Sequence, residues 1–239
     1  MSGHSKWASI KHKKALTDAK RGSSFTTLAN TITVAAKQGG GDPLHNASLR
    51  LAIDKARGAN MPKDNIERAV KRGTGELGGA AVEELLYEGF GPGNVAILVE
   101  ALSDNRNRSN ADIRLILSKN GGRIAEGGGV KHQFTQRGVI RIDLPEGRGE
   151  ALEEAAIEGG ADDYVLGDDF AIVYVTPIEL HKLRDFLEAA GFPTTAAKIE
   201  WVANSPIELD EETLEKVAPL VDLLEENDDV TAVYTNLAE

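Results

Sequence analysis

The sequence predicts an α+β protein of three domains: an N-terminal three-helix bundle, a discontinuous α+β middle domain, and a ferredoxin-like βαββαβ domain inserted into the middle one. Three observations predict this fold class. Apolar residues recur with helical spacing in the first third of the chain. After a glycine-rich stretch the spacing changes to the two-residue period of strands. Residues 137–202 then follow the order strand, helix, strand, strand, helix, strand.

Three short helices form the predicted bundle. SSFTTLANTITVAAKQGGG offers Ser23 or Ser24 as an N-cap, an apolar stripe that starts at Phe25, and a stop at Gly39–Gly41. The second predicted helix has an apolar face within DPLHNASLRLAIDKARGAN. The third predicted helix has an apolar face within MPKDNIERAVKRG and ends at Gly73. Because each stripe is thin, we expect the three helices to bury their apolar faces against one another.

The middle domain begins after GTGELGGAA, a predicted linker at about residues 73–81. EELLYEGFGPGNVAILVEAL predicts a hairpin whose turn lies at residues 89–94. RSNADIRLILSKNGG predicts a helix with Ser109 as its N-cap and a stop at Gly121. We expect a further strand near Val130–Phe134.

The tail that follows the βαββαβ segment contains one helix and one strand, which are too few to fold alone. We therefore expect residues 205–239 to return and complete the sheet begun at 82–134. The predicted domains are residues 1–77, the basic helical domain; 78–135 plus 203–239, the discontinuous α+β domain; and 136–202, the inserted ferredoxin-like domain.

Charge is divided unevenly along the chain. The net charge is −11, yet residues 1–73 carry +9 and the remainder carries −20. Such an asymmetry suggests a basic region that meets a polyanion while the acidic remainder stays away from it. The alternative is that both surfaces are solvated and attract each other.

Composition limits the compartment and the class of protein. The chain has no cysteine, which excludes disulfides and thiolate metal sites and suits a reducing compartment. No apolar run reaches the length of a membrane helix, and no apolar signal segment is present at the start of the sequence. We expect a cytoplasmic protein without membrane contact.

The opening segment, GHSKWASIKHKKALTDAKRG, is basic on all sides and has few apolar residues to pack. This pattern is typical of an arm that becomes ordered against phosphate. Trp7 either stacks on a base or fills the local core. The cations of the arm that we expect to contact phosphates are Lys6, Lys11, Lys13, Lys14, Lys20 and Arg21.

Two further basic clusters are candidates for the same role. Arg68, Lys71 and Arg72 have i, i+3, i+4 spacing and share one side of the third helix; otherwise they are a solvated face. Arg106 and Arg108 alternate with asparagines before a predicted helix N-terminus, where backbone N–H groups favour an anion. The alternative is a polar cap in which these arginines pair with nearby carboxylates.

Signals of enzymes and metal sites are weak. GFGPGN lies between two strands and predicts a turn rather than a phosphate loop. The five histidines lack metal-ligand spacing, and no nucleophile motif is present. We therefore predict no enzymatic activity, no catalytic residue, no cofactor, no metal and no small-molecule substrate.

Long blocks of the sequence resemble the YebC/PmpR family. The resemblance is carried by GHSKWASIKHKKALTDAKRGSSFTTLANTITVAAKQGGGDP, ANMPKDNIERAVKRG, YEGFGPGNVAILVEALSDNRNRSNADIR and SKNGG. It implies a helical bundle and two α+β domains around a cleft. Members are described as DNA-binding transcriptional regulators, and relatives, including a mitochondrial translational activator of a cytochrome oxidase subunit, act on ribosomes and ease stalling.

These observations predict a non-enzymatic regulator of gene expression that binds nucleic acid, with DNA as the expected partner. One alternative is a ribosome-associated translation factor that binds ribosomal RNA or tRNA. A second is a scaffold whose acidic domains hold a basic protein partner. Both readings of the basic region require a polyanion, so the sequence alone leaves DNA and RNA open.

Overall fold

The computed structural model describes Trp7, residues 24–78 and residues 81–238. These residues form two compact units. The first, here called the bundle unit, contains residues 24–78, 81–130 and 211–233. The second, here called the insert unit, contains Trp7, residues 131–210 and residues 234–238.

The bundle consists of three helices: α1 (Phe25–Gly39), α2 (Ala47–Gly58) and α3 (Lys63–Gly73). The Ser24 hydroxyl and the Asn46 side chain accept hydrogen bonds from the first turns of α1 and α2, because these backbone N–H groups have no partner within the helix. The core between the helices contains Leu28, Ile32, Leu49, Ile53 and Ile66.

Phe25 departs from the predicted apolar stripe. The residue is 45% exposed. The residue is the first of α1, so no earlier turn of the helix lies beside its ring. The buried stripe therefore begins one turn later, at Leu28.

The first sheet has four strands in the order β3-β1-β2-β8. These strands are β1 (Glu83–Phe90), β2 (Ala96–Ser103), β3 (Arg123–Ile124) and β8 (Val230–Thr235). The bundle unit contains two further helices, α4 (Arg106–Lys119) and α7 (Glu211–Glu225). The strand from the tail lies beside β2 at the edge of the sheet, so the tail returns as the sequence predicted.

Two predicted details of this region are wrong. The α4 helix begins at Arg106 rather than after Ser109, because the Asn105 side chain accepts the Arg108 N–H and acts as the N-cap. No separate strand covers Val130–Phe134. A short 3-10 turn occupies Lys131–Gln133, and the third strand of the sheet is instead the two-residue β3.

The insert unit has the βαββαβ order that the sequence predicted. Its elements are β4 (Phe134–Asp143), α5 (Gly149–Gly159), β5 (Asp163–Leu166), β6 (Phe170–Val175), α6 (Leu180–Ala189) and β7 (Thr194–Ala203). The strands pair antiparallel in the order β5-β6-β4-β7, the split arrangement of a ferredoxin-like fold. Phe134 pairs with Ala203, so β4 begins four residues before the predicted Gly138.

The α+β fold class is thus confirmed, with a helical bundle, one sheet completed by the tail, and a ferredoxin-like insert. The described residues of the bundle and of the first sheet, apart from the last two residues of β8, share one compact unit. The residue boundaries assigned to three separate domains stay a prediction.

Candidate nucleic-acid interface

Helix α3 carries the three cations that the sequence singled out. Ile66 and Ala69 face the bundle core, which leaves Arg68, Lys71 and Arg72 on the sides of the helix away from it. Arg68 and Lys71 are exposed. Among the residues that the structure describes, neither has an ion-pair partner, so both charges face solvent.

The end of α3 is fixed very close to α1. A Cβ atom added to Gly73 would lie 2.3 Å from the Thr33 carbonyl oxygen and 2.7 Å from the Ala36 Cβ. The Thr33 hydroxyl also donates to the carbonyls of Ala29 and Ala69, 2.8 and 3.1 Å away. Only glycine permits this approach, so α3 holds its cations in a defined position on the bundle.

Arg72 has a different environment from its two neighbours. Its side chain is partly buried, and Nη2 lies 2.6 Å from Oδ2 of Asp104, the residue after β2. The Arg72 hydrogen bond holds the pKa of Asp104 below its ordinary value. This ion pair connects the bundle to the first sheet within the bundle unit.

Arg108 is bound to carboxylates of the protein itself. Its Nη2 lies 3.0 Å from Asp229 Oδ1 and 3.3 Å from Asp104 Oδ1. The Asp229 hydrogen bond raises the pKa of Arg108. This arrangement is the polar cap named above as the alternative to an anion site.

Asp229 is the centre of this cluster. Its side chain is 6% exposed and accepts hydrogen bonds from the hydroxyls of Ser103 and Ser109, at 3.0 and 2.6 Å. With Arg108 it ties the end of β2, the first turns of α4 and the start of β8 together. Arg72, Asp104, Arg108 and Asp229 are called the joint below.

Arg106 is exposed on the first turn of α4. In the described part of the chain its guanidinium makes no ion pair, and its carbonyl accepts a hydrogen bond from the Tyr87 hydroxyl at 3.3 Å. Arg106 therefore resembles Arg68 and Lys71 in presenting its charge to solvent, whereas Arg72 and Arg108 belong to the joint.

Of the predicted site residues in the opening segment, the structure describes Trp7. Trp7 is 6% exposed and belongs to the insert unit, as expected for a residue that fills a core. The predicted arm cations lie outside the described residues: Lys6, Lys11, Lys13, Lys14, Lys20 and Arg21.

Other cations of the bundle are engaged locally. Arg57 lies near Asp54 and Lys63 near Glu67, one turn away on the same helix in each case. Such exposed pairs contribute little to stability and are easily exchanged for another partner.

Sequence reasoning missed Lys37. It is exposed in the last turn of α1 and lacks an ion pair within the described ranges. A lone lysine at a helix C-terminus normally indicates only a favourable interaction with the helix dipole. Its neighbourhood with Arg72, which is 35 positions further along the chain, arises only when α3 packs on α1.

Metal-binding clusters and membrane-spanning helices are both absent from the described residues. No three His, Asp or Glu side chains among them come together in a group able to hold a metal ion. Across the same ranges, no helix combines the length and the apolar character needed to cross a membrane.

Comparison with known proteins gives consistent results along the whole chain. Residues 5–76 match the family described as "TACO1/YebC protein N-terminal domain", and residues 82–237 match "TACO1/YebC second and third domain". A relative from Treponema denticola is 49% identical over 237 residues, which is 99% of this chain and 96% of the relative. One from Acidithiobacillus ferrooxidans is 52% identical over 238 residues, 99% and 94% of the two chains. Both relatives are named "Probable transcriptional regulatory protein".

A solved structure is similar to the fold as well. The crystal structure of a conserved hypothetical protein from Aquifex aeolicus matches with a TM-score of 0.76 at 44% identity. The match covers 92% of this chain and 91% of the other.

Proposed function

Since the chain belongs to the TACO1/YebC family, we propose that it is a non-enzymatic regulator of gene expression that binds duplex DNA through its basic N-terminal region. The names of the relatives support the regulatory role. The charge of the basic N-terminal region supports the choice of a nucleic acid as partner. Residues 1–73 carry +9 in a protein of net charge −11.

One observation carries the proposal: Arg68 and Lys71 are exposed on a helix of fixed position and lack an ion pair with any described residue. In a strongly acidic protein, mobile carboxylates would readily pair with free cations. Cations kept apart from them can bind phosphate groups without first breaking an internal contact. Arg106 contributes a third such charge within the same unit.

The other predicted site residues complement the three exposed cations, Arg68, Lys71 and Arg106. The arm cations from Lys6 to Arg21 extend the proposed phosphate contacts, and Arg72 and Arg108 serve mainly to position α3 and α4 through the joint. The acidic remainder repels the backbone of the nucleic acid and so limits binding to the basic region. For Trp7 we propose a role in the core rather than base stacking.

Salt dependence tests whether phosphates are contacted. If about six phosphates are neutralised, the logarithm of the association constant should fall with the logarithm of salt concentration at a slope near −5 on duplex DNA. Fluorescence anisotropy with a labelled duplex between low and moderate salt measures this slope. A slope near zero would contradict the electrostatic basis of the proposal.

Matched variants test where the contacts are made. We expect the double variant Arg68→Ala/Lys71→Ala to bind more weakly and to reduce the magnitude of the slope by about 2. The control is Lys182→Ala/Lys216→Ala, which also removes two exposed lysines, each paired with a glutamate one turn away. Equal losses in the two variants would show that net charge alone matters.

The partner is tested with competing nucleic acids. Duplex DNA that competes for binding better than ribosomal RNA or tRNA of equal phosphate concentration supports the DNA proposal. Cosedimentation with ribosomes together with poor competition by DNA would instead favour the translation factor. Absence of binding to any nucleic acid would leave the protein scaffold.

A further inference from the structure

We propose that the bundle unit contains a binding site for a single phosphate group, in a cavity between α1, the end of α3 and the turn that follows it. That the phosphate belongs to a nucleic acid rests on the function proposed above. The site itself rests on the shape and charge of the cavity. Its volume is about 280 Å³, enough for a phosphate and part of an attached sugar.

The charge of the cavity selects an anion. Lys37 and Arg72 line it from opposite elements, and no carboxylate is among the described residues of its wall. Arg72 is paired with Asp104, and this carboxylate is shared with Arg108. Lys37 therefore adds a positive charge that the joint does not balance.

Bare backbone forms much of the remaining wall. Gly73, Gly75 and Gly78 line the cavity. Gly75 and Gly78 have φ of +82° and +62°, and a Cβ at either would meet no atom within 4 Å. These glycines allow the chain to turn sharply while open space is kept beside it, so a ligand can approach the main chain closely.

The cations, not the amides, provide the attraction. The N–H groups of Gly75 and Gly78 already donate to the carbonyls of Arg72 and Gly75, at 3.2 and 3.4 Å. Thr33 uses its hydroxyl for the contacts between α1 and α3. The site thus differs from a glycine-rich phosphate loop, in which free backbone N–H groups surround the ligand. Lys37 is the principal ligand group of the site, and the positive charge of Arg72 adds to the attraction.

Titration of the full-length protein with inorganic phosphate tests the site directly. In ¹H–¹⁵N spectra at constant ionic strength, we expect saturable shifts centred on the amides of Gly73, Gly75 and Gly78. Lys37→Gln should weaken the apparent affinity about tenfold, because it removes a charge-assisted contact. Lys63→Gln, which removes an exposed lysine from the same bundle, should leave it unchanged. Shifts that do not saturate, or that saturate in Lys37→Gln at the same phosphate concentration as in wild type, would overturn the proposal.

A steric variant separates the cavity from general attraction to a basic surface. Ala81 lines the cavity and is exposed, so Ala81→Leu should fill the space without disturbing the core. We expect this variant to lose phosphate binding while its spectrum elsewhere stays unchanged. Retained binding in Ala81→Leu would overturn the proposal even if Lys37→Gln is weakened.

The source of the phosphate is resolved by comparing probes. A duplex with a 5′-phosphate, the same duplex without it, and a nucleoside 5′-monophosphate distinguish backbone, terminal and free phosphates. If DNA binds equally to wild type and Lys37→Gln, the proposed function stands and the inference that the cavity holds a phosphate of the nucleic acid fails. If phosphate binds in the cavity but no nucleic acid binds the protein, the site stands and the proposed function fails.

Discussion

Asp229 illustrates how one side chain can hold three elements together. Its carboxylate accepts hydrogen bonds from two serine hydroxyls and from Arg108, and it lies almost wholly out of contact with water. A buried carboxylate is stable only when such donors surround it. Conversely, those donors lose their acceptor when the carboxylate is removed.

We expect Asp229→Ala to lower the free energy of unfolding by about 2 kcal/mol or more, because it leaves two buried serine hydroxyls without their acceptor and removes the closer carboxylate partner of Arg108. Urea denaturation measures the change. The control is Asp228→Ala, an exposed neighbour whose side chain makes no such contacts in the described structure. Similar losses of unfolding free energy in the two variants would mean that the hydrogen bonds of Asp229 do not stabilise the protein.

Asp104 makes part of the stability dependent on pH. The Arg72 hydrogen bond lowers its pKa in the folded state, so the contact contributes stability above the unfolded pKa, about 3.9 for an aspartate. This contribution is lost as the pH falls through the lower, folded pKa. Asp104→Asn should therefore be less stable than wild type at pH 6–7, and the difference should shrink below about pH 4. A difference that stays constant from pH 7 to pH 3 would contradict this account.

At the level of elements, the position of α3 depends on the absence of a side chain at Gly73. A methyl group there would collide with the backbone of α1, which cannot move aside as a flexible side chain can. The same contact brings Arg72 to the cavity and to Asp104. One glycine thus links packing of the bundle with the placement of its charges.

We expect Gly73→Ala to destabilise the protein by about 1–3 kcal/mol through overpacking. Gly58→Ala is the matched control, since it also stands at the end of a helix but its Cβ would meet no atom within 4 Å. That variant should be neutral or stabilised by up to about 1 kcal/mol. Thermal unfolding of both variants measures the contrast, and a stabilised Gly73→Ala would show that α3 can shift freely.

The local rules of the sequence predicted most elements but not all of their ends. Ser24 capped α1 as expected, because the N-cap residue is adjacent to the helix that it starts. The start of α4 was placed too late because Ser109 also fits a capping pattern, whereas its hydroxyl is used by Asp229 from the far end of the chain. The two-residue β3 could not be predicted, since so short a strand has no period of its own.

The candidate site was predictable in composition and not in pairing. Arg68 and Lys71 could be chosen from helical spacing alone, and both are exposed. The partners of Arg72 and Arg108 lie in other elements, so only the tertiary structure shows that these arginines are held internally. Nothing in the local sequence indicates a role for Lys37, because the cavity that it lines forms only when α1 and α3 pack together.

For the molecule as a whole, the ferredoxin-like insert begins and ends on adjacent strands. Phe134 and Ala203 are paired at the start of β4 and the end of β7, so the chain enters and leaves the ferredoxin-like insert at neighbouring points. A short connection could replace everything between them. The bundle unit, in contrast, needs residues from both sides of the insert, including Leu220 and Leu224, which are fully buried.

We expect a variant in which residues 136–202 are replaced by a short Gly-Ser linker to keep a cooperatively folded bundle unit. A variant that lacks residues 211–235 should not fold cooperatively, because it removes α7, β8 and Asp229 together. Circular dichroism and urea denaturation compare the two. Cooperative unfolding of the second variant would show that the tail is dispensable for the first sheet.

The late arrival of β8 has a consequence for biosynthesis. The hydrogen bond between Ser103 and Asp229 joins residues 126 positions apart. At a synthesis rate of about 5–20 residues per second, that distance corresponds to roughly ten seconds during which β2, a strongly apolar strand, pairs with β1 on one side and has no neighbour on the other. Such an open edge invites pairing with other chains. The growing polypeptide should therefore depend on chaperones until residues 211–235 emerge, and a product stalled or truncated before them should aggregate rather than persist in a partly folded form.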